Sequence, residues 1–125
     1  MDEIIKFEND KIIRYKDVNS VLKELIPEFW TDRIHDNATE PHVIFGEFAL
    51  WLSGLISSSD KDDLVDRSCK LIQNVYRSGD DEVKNLVMVS VLEILVDEAE
   101  DIEALKGLFN NEIRSLIDDF SQENL

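Results

Sequence analysis

Basic residues are scarce in this chain. It has 13 of them against 28 acidic ones in 125 residues, a net charge of −15. That shortage disfavours DNA, RNA and anionic lipid as direct ligands. It favours a cationic partner, or simply solubility. Cysteine is scarcer still: Cys69 stands alone, so no intrachain disulfide can form. This fits a reducing compartment, and the expected location is cytoplasmic. Cys69 falls inside an amphipathic pattern and reads as a small buried side chain rather than a reactive thiol. No run of roughly eighteen uninterrupted apolar residues occurs, so no transmembrane helix is expected. The opening MDEIIKFENDK is acidic and lacks the apolar stretch of a signal peptide. There are four glycines and two prolines. No G-x-S-x-G elbow, Walker A loop or Gly-rich dinucleotide turn can be found. The chain does not read as an enzyme, and no cofactor is expected.

What is present is apolar periodicity. Hydrophobic residues make up 43% of the chain, enough for a globular fold despite the charge. The length suits one domain, residues 1–125, with a core that needs no disulfide or metal. Residues 1–18 are ambiguous. Ile4-Ile5-Lys6-Phe7 and Ile12-Ile13-Arg14-Tyr15 flank a turn-like Asn9-Asp10 and would suit a short hairpin. Ile5, Ile12 and Ile13 also fit a helical stripe, and helix or irregular structure is slightly preferred. Beyond that point every segment reads as helix. Asn19 and Ser20 are candidate caps for a face made of Val21, Leu22, Leu25, Ile26, Phe29 and Trp30. Pro27 interrupts it with a kink, or with a stop at Ile26 and a restart. Residues 32–40 are polar and read as a loop.

Pro41 opens a helix to about residue 57 that is apolar on nearly every side and so should be buried all round. Gly46 and Gly54 on one of its faces could admit a close neighbour. Ser57-Ser58-Ser59 ends it and Asp60 caps the next. Residues 60–78 form an amphipathic helix, with Leu64, Val65, Ser68, Leu71, Ile72, Val75 and Tyr76 inward. Gly79 supplies its C′ position and Asp80 caps a second central helix, 80–99. After Asp101, Ile102, Leu105, Phe109, Ile113, Leu116, Ile117 and Phe120 repeat at helical spacing, with Gly107 and Asn110-Asn111 weakening the middle. Short connections make neighbours antiparallel. The expected fold is therefore all-α, an antiparallel α–α hairpin stack or HEAT-like helical bundle. Helices 60–78 and 80–99 resemble one HEAT-type repeat, without a second copy at a fixed period.

Two segments carry a family resemblance. One is Pro41-His42-Val43-Ile44-Phe45-Gly46-Glu47-Phe48-Ala49. The other is Ser78-Gly79-Asp80-Asp81-Glu82-Val83-Lys84-Asn85-Leu86, continuing through Val89-Ser90-Val91-Leu92-Glu93. Over residues 20–120 the chain resembles a family of small, acidic, helical bacterial proteins of uncharacterised biochemistry, some of them similar to immunity proteins against polymorphic or contact-dependent inhibition toxins. The motif residues are core and cap residues, so the resemblance implies a shared fold more than a shared partner. It carries over no catalytic residues.

Other constellations are weak. His35, Asp36, Glu40, His42 and Glu47 straddle a loop and a helix start without the spacing of a zinc helix. Trp30 and Trp51 sit on apolar patterns and read as core.

The acids divide by helix position. Asp60, Asp62, Asp63, Asp80, Asp81, Glu82, Asp101 and Glu103 occupy first turns, where the helix dipole favours them by about 0.3–1 kcal/mol each. Asp97 and Glu98, and likewise Asp118 and Asp119, are placed in last turns, where it opposes them. Residues set against local stability are better candidates for function. A solvated surface is the competing account. The candidate partner-binding residues are Asp97, Glu98, Glu100, Asp101 and Glu103, with Asp63 expected nearby. The expected function is that of an immunity protein binding a cognate toxin domain, a basic nuclease, through this acidic surface. A HEAT-like adaptor or a nucleic-acid mimic are the alternatives.

Overall fold

A computed structural model describes residues 12–33, 40–58 and 62–123. The chain enters as an extended segment at residues 12–14 and passes through a 3-10 turn, Tyr15–Asp17, into α1 (Val18–Leu25). The described part of the ambiguous N-terminal segment is thus neither hairpin nor long helix; residues 1–11, where the other half of a hairpin would fall, lie outside the described residues. Asn19 and Ser20 sit inside the first turn of α1 instead of capping it, because the 3-10 turn has already set the helix going. Helix α2 (Pro27–Arg33) follows after a break at Ile26, whose backbone leaves the helical region at φ −128°, ψ 66°. Pro27 has no N–H to donate and its ring crowds the preceding turn. The apolar face runs on regardless: Val18, Leu22, Ile26 and Phe29 are all fully buried.

Helix α3 (Pro41–Ser58) forms the spine of the bundle. Phe48 on α3 meets Phe29 of α2 edge-on at 5.4 Å between ring centres, and Trp51 lies 5.4 Å from Phe29. Helix α4 (Asp62–Ser78) returns alongside, burying Val65, Ser68, Cys69, Leu71, Ile72 and Val75. Burial pushes the Cys69 thiol up to about 12, with Asp66 adding to the shift; such a thiol holds almost no thiolate at neutral pH. The next helical rod is continuous from Asp81 to Glu98 but not uniform. It consists of α5 (Asp81–Leu86), a π-helical stretch (Val87–Leu92) and α6 (Glu93–Glu98). The wider π turn lets three consecutive residues, Ser90, Val91 and Leu92, all face packed neighbours.

The single last helix read from the sequence is two. Helix α7 (Ile102–Lys106) ends at Gly107, and α8 (Asn111–Glu123) starts after Asn110. Asn110 Oδ1 accepts from Ile113 N–H at 3.0 Å, while the Asn110 N–H donates to Gln73 Oε1 at 2.7 Å. Leu105, Phe109, Ile113 and Ile117 stay buried across the break. The architecture is an all-α bundle of packed helical hairpins.

Helix α3 is not buried all round. Val43 is 59% exposed, Leu50 44% and, on the rod, Val89 46%. Helices α1, α2 and α4 cover one side of α3 and the rod covers another. A third side is left to solvent. Nor do both α3 glycines serve close packing. A Cβ at Gly54 would meet nothing within 4 Å, and one at Gly46 would make ordinary contact with Ile94 Cδ1 at 3.6 Å. The glycine with a steric reason is Gly79, where a Cβ would lie 2.6 Å from the Val75 carbonyl oxygen and overlap Val83.

The buried aromatic face predicts a graded cost. Phe48→Ala should lose about 3–5 kcal/mol of stability and Leu86→Ala about 2–5 kcal/mol. Val43→Thr, on the open side, should change it by no more than about 0.5 kcal/mol. Urea unfolding of the three variants checks this order.

Candidate functional site: an acidic corner between α6 and α7

Helix α6 ends in Asp97 and Glu98 with no basic residue in its last turn. Ala99 turns extended at φ −70°, ψ 130°, and Asp101 then caps α7 by accepting from Ala104 N–H at 3.2 Å. The last turn of α6 and the three-residue connection after it therefore carry four carboxylates, Asp97 and Glu98 on the helix and Glu100 and Asp101 on the connection. The corner folds against the C-terminal half of α3. A cleft of about 170 Å³ opens between Ser53, Ile56 and Ser57 on one side and Glu98, Glu100 and Asp101 on the other.

The six acids predicted to act together do not share one environment. Glu103 pairs with Lys106 at 3.4 Å, and Lys106 is held more closely by Asp118 at 2.7 Å. The Asp118 hydrogen bond, with help from Glu103, raises the Lys106 ammonium above its ordinary value. Asp101 has its capping task. Asp63 joins a different network. Its Oδ2 accepts from Arg67 Nε at 3.2 Å, and Arg67 also binds Glu28 of α2 at 2.6 Å. That hydrogen bond holds the Glu28 carboxyl below the usual range. Asp97, Glu98 and Glu100 differ. Among the described residues no cation lies within ion-pair distance of any of them. Asp118 drops out as an unpaired acid through its bond to Lys106, and α8 continues to Glu123, so neither Asp118 nor Asp119 ends a helix.

A second cluster was half legible in the sequence, which grouped Glu40 with His42 but joined neither to Tyr15 or Ser90. Tyr15 O–H donates to Glu40 Oε1 at 2.9 Å, and the same oxygen accepts the His42 N–H at 3.2 Å. His42 Nδ1 lies 2.6 Å from Ser90 Oγ, in the π turn of the rod. These four positions have no common spacing; only the fold joins them. Ser90 is buried in the packing between α3 and the rod, so the pair acts as a tie. Burial first, and then the Glu40 carboxylate, push the Tyr15 phenol from its ordinary 10.0 up to about 12. Glu40 is in turn held low by the Tyr15 hydrogen bond and the His42 N–H. Among the described residues no group of three or more His, Cys, Asp or Glu side chains could hold a metal ion. His35 and Asp36 lie outside the described residues.

Residues 18–124 match the DUF7674 family, a domain of unknown function. The chain belongs to this family. No curated protein and no solved structure matches it. The acidic corner, α3 and the whole rod lie inside the DUF7674 match, whereas Ile13 and Tyr15 precede it.

Two outcomes follow from this geometry. Replacing Asp97 and Glu98 together by Lys removes two charges from the wrong end of a helix dipole. The melting temperature of that variant should be equal to or slightly above that of the parent in a thermal scan. The Tyr15 phenol is held protonated by the fold. Its contribution to stability is present below pH 10 and is lost as the pH rises from 10 through about 12. Denaturant midpoints should fall more steeply over that window for the parent than for Tyr15→Phe.

Proposed function

We propose that this chain is an immunity protein: a cytoplasmic binding domain that neutralises a cognate toxin domain, a basic nuclease, through the α6–α7 corner. The observation that carries this reading is the trio Asp97, Glu98 and Glu100, without an ion-pair partner among the described residues, with Glu98 and Glu100 lining a cleft, in a chain of net charge −15. Two of the three sit where the helix dipole opposes them, so local folding does not account for their placement. A basic partner would. An acidic corner docked over a nuclease groove places carboxylates where nucleic-acid phosphates would lie. It thereby blocks substrate without any chemistry of its own. Complementary charge speeds such an encounter and rejects wrong partners.

The experiment is co-expression of this chain with the product of the reading frame immediately upstream of its gene, which the immunity reading expects to encode a toxin domain. Growth should be restored by the parent chain and not by the folded Asp97→Lys, Glu98→Lys variant. Arrest that the parent chain fails to relieve overturns the immunity reading. In a binding assay with the purified pair the association rate should fall as salt rises. Exposed charges act over about 8 Å at physiological ionic strength, and dissociation should change less. A rate flat across salt would sink the electrostatic account.

A further inference from the structure

Two contacts fix how α3 lies on the rod. His42 Nδ1 lies 2.6 Å from Ser90 Oγ, and the Cβ position of Gly46 is aimed at Ile94, whose Cδ1 lies 3.6 Å from it. Both helices advance by four residues between these contacts, so they run side by side in the same direction. Parallel helices turn in the same sense. Residues one position after the contact on α3 and one position before it on the rod must therefore emerge on the same side. Those are Val43 and Glu47, and Val89 and Glu93; one further turn adds Leu50 and Asp97. The burial pattern agrees: Val43, Leu50, Val89, Glu93 and Asp97 are all exposed. Phe45, Val91 and Leu95, on the other side of the contact, are buried. The two helices thus present one continuous open face. Its centre is apolar, from Val43, Leu50 and Val89, with the exposed Gly54 leaving it without bulk at one end. Its two edges differ in charge. On the α3 edge Glu47 is answered by Arg33 at 3.5 Å. On the rod edge Glu93 and Asp97 have no cation within ion-pair distance among the described residues.

We infer that this face is a docking surface for an amphipathic basic helix of a partner protein. The partner's apolar stripe lies over Val43, Leu50 and Val89, and its lysines or arginines lie along the Glu93–Asp97 edge. A second copy of this chain does not fit, because a self-complementary contact would set the unanswered acids of one −15 chain against those of another. An anionic surface is excluded by the same charge. The inference rests on the binding reading above and deepens it: Asp97 belongs to both surfaces, so the corner and the face form one contiguous footprint.

The test is a titration of the isotope-labelled full chain with three synthetic helical peptides, followed by backbone amide shifts. The first carries a leucine stripe flanked by lysines. The second has the same composition, scrambled so that the leucines lie all round. The third keeps the stripe but replaces every lysine by glutamine. The first should bind about tenfold or more tighter than either of the others. It should shift amides of residues 43–54 and 89–97. Leu50→Gln with Val89→Thr, both exposed and so tolerated by the fold, should remove its advantage over the scrambled peptide. Glu93→Gln should reduce its affinity and steepen nothing in the melting curve.

Equal binding of the first two peptides overturns the docking face, and so do shifts confined to residues 98–104. The immunity reading would still stand on the corner. Equal binding by the glutamine peptide, or self-association of the chain that Leu50→Gln abolishes, assigns the face to a neutral partner or a second copy and overturns the inference. Failure of all three peptides to bind also overturns it. The co-expression result uses no peptide, so it decides the function independently.

Discussion

A side chain at position 79 would set its Cβ 2.6 Å from the Val75 carbonyl oxygen, closer than real contacts permit. The close approach that only glycine allows here is what the rest of the bundle depends on. Ile13 lies alongside it, donating to Ser78 O at 2.7 Å and accepting from Asp80 N–H at 3.0 Å. Asp80 divides its carboxylate between two tasks. Oδ1 accepts Val83 N–H at 2.9 Å and starts α5, while Oδ2 accepts Tyr15 N–H at 3.2 Å. Lys84 reaches back to the Tyr76 carbonyl at 2.6 Å and closes the end of α4. One junction therefore ends a helix, starts the rod and anchors the entering chain. With α4 antiparallel to α3 and the rod antiparallel to α4, the rod must run with α3. Every surface argued to bind a partner descends from that direction.

The parallel pairing has a consequence for charge. It brings the end of α6 to the end of α3, so Glu98, Glu100 and Asp101 line a cleft together with Ser53, Ile56 and Ser57. At the other end, it brings Asp81 and Glu82 to Tyr15 and His42. There the acids have work within the fold: Asp80 caps, Glu40 receives two hydrogen bonds, and Glu82 adds to the field that keeps Tyr15 protonated. The two ends are both acidic, but their acids stand differently towards the helix dipole: Asp81 and Glu82 occupy the first turn of α5, where it favours them, whereas Asp97 and Glu98 occupy the last turn of α6, where it opposes them.

Helical stripes were legible because burial repeats at the period of the helix. Leu22, Phe48, Ile72, Leu86 and Ile117 were all placed inside by spacing alone, and Pro27 and Pro41 marked real boundaries. The same rule explains the errors. The apolar period continues from Leu105 through Phe109 to Ile113, so it could not show that the backbone between them is a turn. Val43 and Leu50 have the composition of core residues, and periodicity cannot distinguish a covered apolar stripe from an uncovered one. The π turn leaves no mark in residue type. Of the candidate site, the cluster from Asp97 to Glu103 was readable as a run of acids. Its sorting was not, because Lys106 reaches Asp118 across twelve positions and Arg67 links Asp63 to a helix thirty-nine positions earlier. Those are tertiary facts without a local signature.

Charge and apolar surface supply different parts of recognition. Unanswered carboxylates raise the encounter rate and exclude like-charged molecules, but exposed pairs in water hold a complex only weakly. Residence depends on desolvated contact, which acids alone do not provide. A chain that carried only the α6–α7 acids would attract many basic proteins and retain few. In the proposed complex the attracting edge at Glu93 and Asp97 borders Val43, Leu50 and Val89, which would supply the surface that water leaves when a partner is seated. Selectivity under that proposal would come from the requirement that a partner match both at once: lysines along one flank, and an apolar stripe beside them at the spacing of two parallel helices. A nucleic acid meets neither condition, and a uniformly basic surface meets only the first.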